Sequence, residues 1–398
     1  MSSTITVRNI NSRILDGLRS HPDLLHFIIG PRQVGKTTCA IQIEKAWEGP
    51  VVHAAADHPL PPGHEWIRTK MEHALNKMEK GKVTLLVLDE IQKVSEWSEA
   101  IKTIWDERLR KKSPIALLAL GSSSLLLQKG LSESLAGRFM LYRFSHWDYP
   151  EMKSLFGWDL DHWIFHGGYP GAGRFAGSYE TWSSYITDSL IETVLARDIL
   201  QMQTVAKPAL LRHLFALSAS YPAQIFSYNK MLGQLQDAGN TTTLAHYLKL
   251  LESAFLISGL ELFREGNRVK KGSSPKLVVW NNALISAFHR MDYDRVREDG
   301  EGWGHLVENA VGAHLLNHLG GFGYQLFYWR HGNDEVDYVI KTPRESVVLE
   351  VKSSRMRRTS GLKAFLKIYP KARPFIVGPG GLELEDFFSK TPIESLGL

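Results

Sequence analysis

The sequence predicts an α/β protein built on a parallel sheet, and three stretches predict it. Residues 27–38, Phe-Ile-Ile-Gly-Pro-Arg-Gln-Val-Gly-Lys-Thr-Thr, read as an apolar strand, a tight turn and the start of a helix. Residues 83–90, Val-Thr-Leu-Leu-Val-Leu-Asp-Glu, are a continuous apolar run ending in two acids, as a strand buried on both faces requires. Residues 114–122 form a third such run, set off from the second by a helix-length stretch. Strands alternating with helices in this way give parallel strands covered by helices on both faces.

In chain order, Ile5–Leu25 has the apolar spacing of an amphipathic helix leading into the first strand. The turn after that strand carries G-x-x-x-x-G-K-T, with Gly30, Gly35, Lys36 and Thr37 in the required places. Glycines let the backbone curl until its N–H groups point inward at phosphate oxygens. The helix that follows, starting at Thr38, turns its positive end to the same phosphates. Lys36 reaches the β- and γ-phosphates and the Thr37 hydroxyl is placed for Mg²⁺. ATP and Mg²⁺ are therefore the expected ligands, with Gly30, Gly35, Lys36, Thr37 and Thr38 as binding residues. A second strand is expected from Pro50, and a helix over Trp66–Lys80 closed by Gly81. Asp89, at the tip of the next strand, is expected to hold Mg²⁺ through water, and Glu90 to polarise the attacking water.

A helix over Trp97–Arg110 precedes the third run. At its tip, Ser122 or Ser123 is placed either to contact the γ-phosphate or attacking water, or simply to cap the next helix. Arg138, in Leu-Ala-Gly-Arg, has two readings on spacing alone. It is a guanidinium supplied to a neighbouring subunit to neutralise transition-state charge, or an ordinary surface arginine.

At 398 residues the chain exceeds one ordinary core, so several domains are expected. Its one cysteine, Cys39, cannot form an intramolecular disulfide; this fits a reducing cytoplasm, and its place on the helix after the turn suits a buried packing residue. The first residues hold no apolar signal segment, and the longest apolar runs are strand-length. No membrane span and a cytoplasmic location are expected. A formal net charge of +5 permits nucleic-acid binding without establishing it.

Four segments in order, Gly-Pro-Arg-Gln-Val-Gly-Lys-Thr-Thr, Leu-Val-Leu-Asp-Glu-Ile-Gln, Leu-Gly-Ser-Ser and Leu-Ala-Gly-Arg, resemble the AAA+ ATPases of prokaryotes that carry a C-terminal domain of unknown function. The resemblance continues through Gly167-Gly-Tyr-Pro170 and Leu195-Ala-Arg-Asp-Ile199 and so covers nearly the whole chain. It implies that Arg138 acts in trans, within a homo-oligomer expected to be a hexameric ring. One departure is His146-Trp-Asp-Tyr-Pro, where that family carries a Ser-Phe-x-Glu-Phe-type segment; the local contacts after the third strand are left open. The expected layout is an ATPase core over residues 1–150, a helical lid over 151–207, a winged helix over 208–280 and a restriction-endonuclease-like domain over 281–398.

The lid is rich in aromatics, with Trp158, Trp163, Tyr179, Trp182 and Tyr185 either stacking bases or forming core. Ser183–Gln203 is expected to be a helix packing on the nucleotide domain, with Arg197 on it one candidate for a second phosphate sensor. Pro208–Ala219 and Tyr228–Asp237 are expected helices; Thr241–Thr243 should cap another, Leu244–Ile257. Leu260–Lys271 and Lys276–Trp280 then read as a basic hairpin carrying Arg268, Lys270 and Lys271. A winged helix of this kind serves DNA backbones or proteins equally.

The last domain holds a second constellation. Trp303–Leu319 is helical and carries Glu308; residues 325–330 and 335–340 form a hairpin bearing Asp337; residues 346–352 form a strand bearing Glu350 and Lys352. Alternate strand residues share a face, so Glu350 and Lys352 point together and Asp337 approaches from the neighbouring strand. Such a set suits Mg²⁺ and an attacking water on a phosphodiester. The order is similar to that of the restriction-endonuclease-like nucleases, the archaeal Holliday-junction resolvases among them. The domain is either a live nuclease or a silent fold that binds DNA or supports assembly. Lys352, Arg355, Arg357, Arg358, Lys363, Lys367, Lys371 and Arg373 form a basic run beside it, suited to phosphate or to a solvated helix face. The expected function is ATP-driven binding and remodelling of DNA, branched DNA included, with cleavage open. The rival is a nucleotide switch acting on a protein partner in defence or toxin control.

Overall fold

The computed structural model describes residues 8–57, 61–122, 135–199, 205–235, 239–265, 273–288, 292–320, 322–354 and 360–398. They fall into two units, Met1–Phe144 and Ser145–Leu398.

The first unit is a five-stranded, all-parallel sheet. Its strands are β1 (Leu25–Ile29), β2 (Val51–Ala55), β3 (Thr84–Asp89), β4 (Ile115–Gly121) and β5 (Phe139–Arg143), in the order β2-β3-β4-β1-β5. The three apolar runs are its inner strands, and β1, β3 and β4 are buried along their whole length. Helices α1 (Asn9–Ser20), α2 (Lys36–Lys45), α3 (Glu65–Asn76) and α4 (Trp97–Arg110) cover it. Strand residues of one parity, Leu25, Phe27, Ile29, Leu86, Leu88, Leu117 and Ala119, form one core with Ile67 and Met71 of α3 and Ile101 and Trp105 of α4. Residues of the other parity face away from that core, as the pleat requires.

The first helix is shorter than the sequence implies. It stops at Ser20, because His21 precedes Pro22 and is pushed out of the helical region, and Leu25 is already in β1, donating its N–H to the Arg138 carbonyl. Likewise α3 ends at Asn76 and not at Lys80, and Gly81 takes a left-handed φ of 79° in the turn to β3.

The second unit starts with short helices α5 (Tyr149–Phe156), α6 (Leu160–His166), α7 (Pro170–Gly173) and α8 (Tyr179–Ser184). Beyond α8 the chain stays helical but widens into π-type turns over Tyr185–Ile191 and Val194–Ile199, where the sequence predicts an ordinary helix. Of the aromatics here, Trp163 and Trp182 are core, and Trp158, Tyr179 and Tyr185 are half-buried. Trp182 is fully buried against Phe165 and His166, and Trp163 is buried against Tyr149 and Phe388. His146, at the departure from the family pattern, contacts Asn317 and the Tyr169 hydroxyl, while Asp148 caps α5 reciprocally with Glu151.

Helices α9 (Pro208–Ser220), α10 (Tyr228–Gln234) and α11 (Thr241–Ser253) follow, then an antiparallel hairpin of β6 (Ile257–Leu262) and β7 (Lys276–Val279). The cap of α11 is Asn240, whose carboxamide oxygen accepts the Thr243 N–H at 2.9 Å; the three threonines are the first turn itself. Its end also differs, because Phe255 adopts a left-handed φ of 57° and the chain turns into β6. Residues Arg268, Lys270 and Lys271 lie outside the described residues.

Past α12 (Ala283–Phe288) and α13 (Tyr293–Glu298), the long helix α14 (Gly300–Leu319) leads to β8 (Gln325–His331), β9 (Asp334–Lys341) and β10 (Ser346–Val351). Helix α15 (Ser360–Ile368), β11 (Arg373–Val377), α16 (Leu384–Phe388) and α17 (Pro392–Leu396) complete the unit. The strands form one six-stranded sheet, β11-β10-β9-β8-β6-β7. The hairpin is part of that sheet: β6 also pairs in parallel with β8 at Glu261 and Leu262. A domain boundary at 280 would divide a single sheet. No helix among the described residues is long and apolar enough to cross a membrane.

Candidate functional site

The loop between β1 and α2 follows from two glycines with different tasks. Gly35 is left-handed, with a φ of 95°, and delivers the chain into Lys36, the first residue of α2. Gly30 is required by packing: a Cβ there would lie 2.0 Å from the Phe144 carbonyl oxygen. The buried Lys36 ammonium lies inside the loop, donating to the carbonyls of Gly30 at 3.0 Å and Pro31 at 2.7 Å. The Thr37 hydroxyl donates to Asp89 Oδ2 at 2.7 Å, and Thr38 is exposed on the first turn of α2. The loop, the amino end of α2 and the carboxyl end of β3 thus converge at one edge of the sheet. Cys39 is buried, and burial pushes its thiol up to about 12.

Asp89 and Glu90 divide in conformation. Asp89 ends β3, is buried, and accepts the Glu90 N–H on Oδ1 at 2.8 Å. Glu90 then takes a left-handed φ of 54°, a strained backbone for a side chain of its size. Its Oε2 accepts from Gln92 Nε2 at 2.6 Å and from the Ser122 hydroxyl at 3.4 Å. Gln92 also donates to Ser122 at 3.2 Å. Ser122 therefore belongs to the Asp89–Glu90 group, and Ser123 lies outside the described residues. Sequence reasoning missed Gln92 as a member of the group. The available signal was its place two residues after Glu90, on a single short turn.

Arg138 stands elsewhere. It immediately precedes β5, and in the register Leu25 pairs with Phe139, so it sits at the amino end of β1. The nucleotide-type loop follows the carboxyl end of that strand, five residues on, or roughly 16 Å away. Its guanidinium instead pairs with Asp106 at 3.3 Å, with both side chains about two-fifths exposed.

In the second unit the sequence-predicted acids do come together, around a lysine that sequence reasoning placed on the basic hairpin. Lys276 is fully buried, and its ammonium lies 2.6 Å from Glu308 Oε1, 3.3 Å from Glu335 Oε1 and 3.5 Å from Asp337 Oδ1. Asn309, next to Glu308, accepts the Val279 N–H at 2.9 Å and donates to its carbonyl at 2.8 Å, so α14 is fastened to β7 at this level. Asp337 Oδ2 accepts the Val351 N–H at 2.7 Å. Beside them, Glu350 Oε2 is buried and without a hydrogen-bond partner among the described residues, and Lys352 is buried just past β10. Burial opposes the charge on Lys276, yet Glu308, Asp337, Tyr338 and Glu335 together raise its pKa well above the usual value. Burial, reinforced by Asp337, pushes the Glu350 carboxyl up to about 8. At Glu308, burial and Asp337 likewise raise the carboxyl against the pull of Lys276.

These residues do not fit a resident divalent metal. Three of the carboxylates share the Lys276 ammonium, and Asp337's other oxygen is held by the backbone of β10. Among the described residues no group of three or more His, Cys, Asp or Glu is arranged to hold a metal ion. The basic run beside the cluster is also thinner than its sequence. Lys363, Lys367 and Lys371 are exposed, but Arg373 is tied to Glu345 and to the carbonyls of Leu396 and Gly397. Arg355, Arg357, Arg358 and the side chain of Arg197 lie outside the described residues.

Residues 23–153 match the family model described as AAA domain. Two further models, each described as a domain of unknown function, match 157–295 (DUF8612) and 303–394 (DUF4143). Two curated relatives, the uncharacterized proteins Mb2031c of Mycobacterium bovis and Rv2008c of Mycobacterium tuberculosis, are each 26% identical over 379 residues, covering 94% of this chain and 80% of theirs. Among solved structures, the Thermotoga maritima RuvB Holliday junction branch migration motor aligns at 16% identity over 67% of this chain and 92% of its own, with a TM-score of 0.36. A likeness that slight carries no argument. The first unit is an α/β fold with a five-stranded parallel sheet, consistent with a P-loop AAA ATPase domain, and the domain match supports nucleotide-dependent ATPase activity.

Proposed function

We propose that this chain is a Mg²⁺-dependent ATP hydrolase that acts on DNA without cutting it. The observation that carries the ATPase reading is the convergence of Lys36, Thr37 and Asp89 at the carboxyl edge of the sheet, with the Thr37–Asp89 oxygens 2.7 Å apart. Two hard oxygen donors at that spacing suit Mg²⁺, and Thr37 and Asp89 would hold it. When bound, the ion would draw charge from the phosphates. Lys36 would exchange its loop carbonyls for phosphate oxygens, and the N–H groups of the loop from Gly30 to Thr38 would orient them. Glu90 would accept a proton from the attacking water, with Ser122 and Gln92 fixing the direction of its carboxylate.

Arg138 would act on the nucleotide of a neighbouring subunit in a homo-oligomer, which we read as a hexameric ring. What supports this is its position at the far edge of the sheet from its own loop. The DNA reading is supported by exposed Lys363, Lys367 and Lys371 and by the succession α14, β8–β9 hairpin, β10, α15, β11. That succession is similar to a restriction-endonuclease-like fold, with a winged helix drawn from α9–α11 and the hairpin. A second reading, a nucleotide switch for a protein partner, is favoured by the internally neutralised carboxylates of the C-terminal sheet.

The deciding measurement is the ATPase rate with and without linear, forked and four-way DNA. Acceleration by DNA, steepest for the branched forms and falling with salt, is expected. A rate indifferent to all three at low salt would overturn the DNA reading in favour of the protein switch.

A further inference from the structure

Lys276 is an unusual residue to bury. An ammonium taken from water is tolerated only with close partners, and this one has three carboxylates within 3.5 Å. Its partners come from α14 and β9, whereas Lys276 itself comes from β7, a strand of the hairpin. The arrangement is held from outside: Asn309 fastens α14 to β7, the Asp337 carboxylate fastens β9 to β10, and the Tyr338 hydroxyl donates to the Glu308 carbonyl at 2.7 Å. The ammonium also lies 5.2 Å from the centre of the Tyr338 ring, a cation–π contact that adds to its negative surroundings. It therefore occupies the middle of the acidic group, where a divalent ion bridging Glu308 and Asp337 would have to sit.

We propose that Lys276 is a built-in cation that takes the place of a divalent metal among Glu308, Glu335 and Asp337, and that removing it turns the cluster into a divalent-cation site. The chemistry is charge replacement. With the ammonium gone, carboxylates that were matched by one positive charge are left facing each other, and an oxygen-ligated divalent ion is the cation that suits them. The proposal takes from the nuclease-like reading only the expectation that a metal belongs here. It stands whether or not the chain acts on DNA.

The test uses the full-length chain, stripped with chelator and free of nucleotide, and titrates Mn²⁺ by electron paramagnetic resonance and by thermal unfolding. The wild type is expected to show no Mn²⁺ binding that depends on Asp337, so wild type and Asp337→Asn should titrate alike. Lys276→Met should unfold at a lower temperature in chelator and recover with Mn²⁺. It should bind the ion about tenfold or more tightly than wild type, and this gain should vanish in Lys276→Met/Asp337→Asn. Mn²⁺ bound to the wild type and lost in Asp337→Asn would overturn the proposal, and that arm needs no Lys276 variant to fold. A folded Lys276→Met chain that gains no Mn²⁺ site would overturn it equally. Because no arm reads ATPase or DNA, failure here is separable from failure of the proposed function.

Discussion

Two side chains of the proposed nucleotide site are expected to have separable duties. In the proposed site Lys36 would match phosphate charge, so Lys36→Ala should lose ATP binding. Glu90 is held by Gln92 and Ser122, with the Lys93 ammonium 4.0 Å from its Oε2. Glu90→Gln should keep ATP affinity and lower turnover by about a hundredfold or more; equilibrium binding of a labelled nucleotide beside steady-state hydrolysis tells the two apart, and normal turnover would remove Glu90 as the base. In the second unit, Glu350 makes a pH prediction. Burial, with Asp337 beside it, pushes its folded carboxyl up to about 8 from an ordinary 4.5. Between those values the folded chain keeps a proton that the unfolded chain has released, so stability falls as pH rises through that window. Glu350→Gln removes the dependence. It should be more stable than wild type at pH 8 by about 1 kcal/mol, discounted because the side chain is only partly buried, and level with it near pH 4. Denaturant melts at the two pH values measure this, and a gain that is the same at both would contradict it. Much of the first site was legible because G-x-x-x-x-G-K-T and a strand-terminal Asp-Glu are local patterns. Lys276 was not legible. A lysine heading a short strand looks like surface charge until the fold brings α14 and β9 around it.

At the level of the element, the long buried strands were the easiest to read and the ends of helices the hardest. The β3 and β4 runs are apolar almost throughout because helices cover both faces. Helix ends turn on single side chains. Asn240 and the threonines after it are all competent caps by type; what decides is that the Asn240 carboxamide reaches the Thr243 N–H while the threonines are already helical. Asn240→Ala should therefore lower stability by about 1 kcal/mol, and Thr241→Ala by far less. Thermal unfolding of the two variants side by side checks the assignment, and equal losses would return the cap to the threonines. The π-type turns after α8 had no legible sign, because widened turns use the same residues as ordinary ones.

For the whole molecule, the parallel register constrains what one chain can do alone. Arg138 lies at the amino edge of the sheet and Lys36 at the carboxyl edge, so no rotamer brings the two to one phosphate. Chains carrying Arg138→Ala should be rescued in part by chains carrying Lys36→Ala, since a mixed assembly contains interfaces with both residues intact. The readout is ATPase rate against mixing ratio, in proteins shown to co-assemble. A rate that never exceeds the sum of the separate mutants would count against action in trans. The sequence expects the first domain to end at residue 150; the chain divides into compact units at Phe144 and Ser145. It also expects a boundary at 280, because a strand's second neighbour is invisible until the sheet is assembled; one six-stranded sheet includes strands on both sides of that residue.

The pairing of β6 with β8 has a consequence for how this half of the chain is made and inherited. A translating ribosome would release the hairpin long before β8 exists. Until then β6 offers an open edge, and Lys276 would carry its charge to water instead of to Glu308. Both faults are cured in one event, when the last hundred or so residues close the sheet. The hairpin and the C-terminal sheet should therefore melt as one cooperative block, and truncation at their seam would leave β6 with an open edge and Lys276 without its carboxylates.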